Sequence, residues 1–305
     1  MVPFLERLET VYHSPAEIAS LTLAPVDHDE YLRIIEAFNR KPTHGLRDRA
    51  VLLRTVAADL AGEAGADALV EAWHKIATGL LHFRDSNIEG LSVCSVNQRL
   101  INRPFVLFPA ELTWEEKSYY RPFLFQANDE TQADDLLNWQ CTSFIRGPYA
   151  VFLASKALGR AVQANQEAID ALLIGGEDPS FAVLADRLRL LNAFYMNVVH
   201  AMKYQDIIDS TDFSIPPEIS PRWPIDADQK LLDYEALTRA EIDNTLEIIR
   251  LIEGRERQML VAAPTPELED IFLLSPEITS QLRRKIAIME AHRLDGKRAF
   301  VTHNH

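Results

Sequence analysis

The side chains best suited to binding chemistry in this chain crowd into one stretch, Asn97 to Gln126 (NQRLINRPFVLFPAELTWEEKSYYRPFLFQ). Phe105, Phe108, Trp114, Tyr119, Tyr120, Phe123 and Phe125 are interleaved there with Arg99, Arg103 and Arg121, and no glycine interrupts them. Flat aromatic faces beside guanidinium and amide groups suit sugar rings, which stack on the aromatics while their hydroxyls take paired hydrogen bonds; the same chemistry suits another protein's surface. The competing role is packing, with the rings plugging a groove between helical layers and Arg103 and Arg121 bonded to loop carbonyls. Asn97, Arg99, Arg103, Trp114, Tyr119, Tyr120 and Arg121 are therefore the candidate ligand-binding residues of this stretch.

A second set sits on a helical pattern running from Ser180 to Asp209. Asn197, His200 and Tyr204 are spaced i, i+3 and i+7, which puts them on one face. They line a polar pocket or serve as interhelical hydrogen bonds. In a helical-bundle enzyme the site would lie between this face and the aromatic loop.

Familiar catalytic signatures are missing from the sequence. It holds no GxxxxGK[ST], no GxGxxG between strand and helix, no HExxH and no GxSxG. Glu71 and His74 make a single ExxH, whereas a carboxylate-bridged metal pair in a bundle needs a second copy. Cys94 and Cys141 lack a CxxC partner and read as small buried residues, and His303 and His305 belong to a terminus. No metal, cofactor or assignable catalytic residue is expected. The 45 Asp and Glu residues make paired-carboxylate chemistry impossible to localise.

The formal charge of −14 and pI near 5.1 oppose nucleic acid or an anionic membrane as a general partner, because phosphate contacts need a basic face. Arg283, Arg284, Lys285, Arg293, Lys297 and Arg298 gather late in the chain, where cations complement a helix dipole or solvate its surface. No apolar run is long enough to span a bilayer. The chain is expected to be soluble, and cytoplasmic if it is complete.

These residues must be positioned by helices. Eleven glycines among 305 residues and many Ala, Leu, Glu and Arg favour helix over the turn-rich composition of a sandwich. Apolar residues at helical spacing predict Pro3 to Val11, Asp29 to Phe38, Leu46 to Ala61, Ala66 to Phe83, Tyr149 to Leu173, Ser180 to Asp209, Asp226 to Gly254, Pro266 to Leu274 and Pro276 to Leu294 as helices. A further helix is expected from Glu130 to Cys141, an extended piece from Ile88 to Val96, and a proline-rich crossover from Ser214 to Pro224. Thr113-Trp114-Glu115-Glu116 has the form of a capping box and predicts a short helix to about Tyr120. The expected fold is all-α: an N-terminal helical part over 1–90, an ordered aromatic loop over 91–128, and an antiparallel helical bundle over 129–305.

The run from Asn97 to Pro109, followed by Leu112 to Tyr120 and Arg121-Pro122-Phe123, resembles helical regions that accompany large bacterial glycoside-hydrolase-like proteins. The resemblance implies an accessory, non-catalytic module packing beside a carbohydrate-active barrel, with carbohydrate or an adjacent catalytic domain as partner. A helical-bundle enzyme and a protein-interaction scaffold are the alternatives.

Overall fold

Abundant helix formers and well-placed stops make helices the only regular elements among the described residues, so the fold is all-α. The computed structural model describes residues 1–14, 29–85, 101–120, 147–176, 179–209, 223–268 and 274–300. First come α1 (Val2–Tyr12), α2 (Asp29–Arg40) and α3 (Leu46–Asp85), then a 3-10 turn (Pro109–Glu111) and α4 (Trp114–Tyr120). The long helices α5 (Gly147–Ile174), α6 (Pro179–Asp209) and α7 (Trp223–Ile252) precede α8 (Glu256–Met259), a 3-10 turn (Pro266–Leu268), α9 (Ile278–Ala291) and α10 (Asp295–Phe300).

Several boundaries follow from local chemistry. The Leu46 and Ala66 helices join as α3 with a kink at Gly62, whose φ of 72° is open to glycine at little steric cost. The capping box forms as expected: Thr113 N–H donates to Glu116 Oε2 at 2.8 Å and Glu116 N–H to Thr113 Oγ1 at 3.3 Å. Ser275 Oγ accepts from Glu277 N–H at 3.1 Å just ahead of α9.

The helix expected over Pro266 to Leu274 is reduced, among described residues, to the 3-10 turn. Leu274 instead pairs with Ala262 in an isolated parallel bridge, its carbonyl accepting from Ala263 N–H at 2.8 Å. Trp223 and Pro224 already belong to α7. The remainder of the Ser214 crossover, the Ile88 to Val96 piece and the Glu130 to Cys141 helix lie outside the described residues.

By its contacts the chain divides into two compact units, Met1–Asp85 with Gly159–Asn192 and Ser86–Leu158 with Ala193–His305. Helices of 28 and 31 residues outreach one small core, so α5 and α6 each give part of their length to one unit and part to the other. In the first unit α3 and α5 run antiparallel. Lys75 meets Glu167 at 2.8 Å, while Ala68 packs so closely on Gly175 that a Cβ there would collide with it. Leu5, Ile34, Phe38, Leu53, Trp73, Ile169 and Phe181 make its core.

In the second unit α7 is the central element. Its stripe Tyr234, Leu237, Thr238, Glu241, Thr245, Ile248 and Ile252 is buried, and it packs on α8, α9 and α10. Asn197 bonds Glu241 and Ala193 bonds Asn244, so the numbering rises on one helix as it falls on the other: α6 and α7 are antiparallel. Glu241 with Lys285, and Glu253 just past α7 with Arg283, join α7 to α9.

Candidate functional site

The described part of the aromatic stretch, residues 101–120, is mostly packing. Ile101, Phe105, Val106, Leu107 and Leu112 are buried. Phe105 stacks on Tyr204 with centroids 4.6 Å apart and planes 13° from parallel, and Phe108 lies under the Arg298 guanidinium at 4.7 Å. Arg103, expected at a binding surface, is fully buried, so its guanidinium is part of the interior and not of any exposed surface. The Tyr119 hydroxyl lies 2.7 Å from the Asn102 carbonyl and 2.9 Å from that of Gln281; its single proton serves one of them at a time. Tyr120 is in α4 with its side chain outside what is described. Asn97, Arg99 and Arg121 lie outside the described residues.

Asn197, His200 and Tyr204 do share a face, and all three are buried. They converge on a group absent from the sequence-based candidates, the carboxylate of Glu241. Asn197 Nδ2 donates to Glu241 Oε1 at 2.7 Å, and His200 Nδ1 is 2.7 Å from Oε2. Lys285 Nζ donates to Oε1 and, at 2.8 Å, to the Ile101 carbonyl. Its ammonium also stands 5.8 Å from the centre of the Phe105 ring. Thr245 Oγ1 donates to the Glu241 backbone carbonyl at 2.7 Å, while the Tyr204 hydroxyl donates to Val106 O at 2.8 Å. The cluster thus ties α6, α7, α9 and the 101–106 segment together.

Its electrostatics are those of a sealed ion pair. Burial alone would raise the Glu241 carboxyl, but the Lys285 charge and the His200 bond outweigh it and hold the group down at about 2. Burial also pulls Lys285 below the ordinary lysine value, with the Glu241 carboxylate opposing the shift. We take the pair as ionised, because every charged atom in it has a close partner. Glu241 and Lys285 have no exposed surface, so substrate has no direct route to them in this conformation.

Lys285 corrects the sequence expectation of a wholly solvated basic helix. Its neighbours Arg283 and Arg284 do face outward, Arg283 to Glu253 at 2.6 Å and Arg284 to the Glu115 carbonyl at 2.6 Å. A signal was present in the pattern: Lys285 lies three residues after Leu282 and three before Ile288, and Glu241 three after Thr238 and seven before Ile248, so both interrupt apolar stripes.

A groove opens elsewhere in this unit. Trp114, Glu115, Glu116, Ser118, Arg284, Ala287 and Ile288 line a groove of about 520 Å³, and Trp114 is 82% exposed. Arg298 clamps Glu111 with bonds of 2.6 and 2.8 Å, and His292 stands 3.4 Å from Glu116 and 3.2 Å from Asp295. The Arg284 guanidinium lies over the Tyr119 ring at 5.7 Å. The lining therefore combines an exposed indole, two carboxylates, a guanidinium and the apolar side chains of Ala287 and Ile288.

Among the described residues no group of three or more His, Cys, Asp and Glu could hold a metal, and no helix is long and apolar enough to cross a membrane. Glu71 is exposed and lies 3.5 Å from Lys75. Compared with known proteins, the chain matches no family model, no curated protein and no solved structure.

Proposed function

We propose that the chain is an accessory, non-catalytic helical module of a carbohydrate-active protein, binding sugar in the groove beside Trp114. The observation that carries this reading is the 82% exposure of Trp114 at the wall of a groove that also holds Arg284, Glu115, Glu116 and Ser118. A large aromatic leaves water at a gain, and a sugar's apolar face is a partner that brings hydroxyls to the neighbouring donors and acceptors. Calorimetric titration of an oligosaccharide panel tests it. One or more sugars should release saturable heat that Trp114→Ala abolishes, with the melting temperature unchanged because the side chain packs against little. Absence of heat with every sugar sinks the proposal.

A helical-bundle enzyme is the second reading, favoured by the convergence of Glu241, His200, Lys285 and Asn197, since perturbed titratable groups gather at catalytic sites. One residue after Ile101, the Asn102 side-chain amide is buried with neither atom hydrogen-bonded, which gives a bound molecule something to satisfy. Catalysis there requires the 101–106 segment to open. Reaction of Lys285 with an amine-directed reagent in the native protein favours this reading, and complete protection until unfolding removes it.

A further inference from the structure

In the first unit, α2 ends at Arg40 and the chain turns through Gly45, at φ 84°, into α3. The turn is anchored: Lys41 N–H donates to Ala37 O at 3.0 Å, and His13 Nε2 lies 3.3 Å from the Thr43 carbonyl. Between turn and helices lies a cavity of about 260 Å³. Its apolar lining is Ala37, Pro42, Val51 and Leu52, and its polar lining includes Arg40, Lys41, Asp48 and Thr55. Val51 is 59% exposed although apolar.

We propose that this cavity binds a small aliphatic carboxylate, its chain against Ala37, Pro42, Val51 and Leu52 and its head group between Arg40 and Lys41. Cations at the end of a helix complement the dipole whatever else they do, but that duty does not call for an apolar cavity beside them. The lining's acidic member, Asp48, already accepts the His44 N–H at 3.1 Å, and Arg40 has only a loose partner in Glu36 at 3.5 Å. Thr43 also lines the cavity, and its hydroxyl is buried without a hydrogen-bond partner. A carboxylate oxygen bound in the cavity would supply the partner that this hydroxyl lacks. In a chain of net charge −14, such a pair of cations is what lets an anion settle locally.

The test uses the full chain with octanoate and, as a probe of opposite charge and similar tail, octylammonium, followed by calorimetry or by chemical-shift changes. Octanoate should bind at one saturable site, with octylammonium weaker by about tenfold or more. Lys41→Glu should weaken octanoate by a similar factor, and Val51→Asp should abolish binding; both positions are exposed, so folding is not at risk. Thr43→Val keeps the shape and removes the unsatisfied donor, so it should weaken octanoate without lowering the melting temperature. Equal affinity for the two probes, no saturable octanoate binding, or Thr43→Val binding as well as the parent overturns the assignment.

Discussion

Lys285→Met removes one charge from a sealed pair while keeping a side chain of similar length. Glu241 then stays buried with Asn197 and His200 but without its cation. Breaking a buried ion pair from one side costs about 3–5 kcal/mol, because the remaining charge is uncompensated. Calorimetric melting should show a midpoint lower by roughly 2–4 °C for each kcal/mol lost. The sign of the pH effect follows from the depressed carboxyl. Its stabilisation is complete above pH 4.5 and is lost as pH falls through about 2, so parent and variant melts should converge across that acid window. Adding Glu241→Leu to Lys285→Met removes the stranded charge and should recover stability. A single variant that melts with the parent at neutral pH, or a double variant less stable than either single, refutes the account.

Tyr204→Phe deletes the hydroxyl that donates to Val106 O but keeps the stack on Phe105, so a loss of about 1–3 kcal/mol in denaturant unfolding is expected from the orphaned carbonyl. Arg103→Ala empties a fully buried position and should destabilise by about 2–5 kcal/mol, while any sugar affinity of the Trp114 groove survives in the folded fraction; loss of that affinity without loss of stability would make Arg103 a binding residue after all.

How much of this was legible in the sequence depended on the range of the signal. Caps and breaks are local. Thr113 with Glu116 and the break at glycine 62 formed as their neighbours dictate, and the all-α class followed from many such pieces. Which side of a helix is covered is not local. Arg283, Arg284 and Lys285 read as one basic run, yet successive residues on a helix point about 100° apart, so the first two reach solvent and the third enters the core. Arg103 precedes a proline in an Arg-rich loop and could face a ligand or the loop carbonyls; its burial depends on packing that its neighbours in sequence do not specify. Glu241 could not be chosen from 45 acidic residues without the apolar stripe it interrupts. The grouping of residues 159–192 with the first helices depends on long-range pairs such as Lys75 with Glu167, for which the sequence carries no marker.

The sealed cluster and the open groove are linked through α9. Lys285 holds the helix by two bonds, to Glu241 on α7 and to the Ile101 carbonyl, and these fix both its rotation and its height against the core. Arg284, the preceding residue, is then directed to the Glu115 carbonyl and over Tyr119, where it forms one side of the groove opposite the exposed indole. A quarter-turn of α9 would carry Arg284 away from the groove. An apolar pair could fill the volume of Glu241 and Lys285, but apolar contacts are non-directional and tolerate rotation, whereas two hydrogen bonds from one ammonium do not. The buried charges therefore fix the direction of a surface side chain at the groove, which gives their desolvation a structural role.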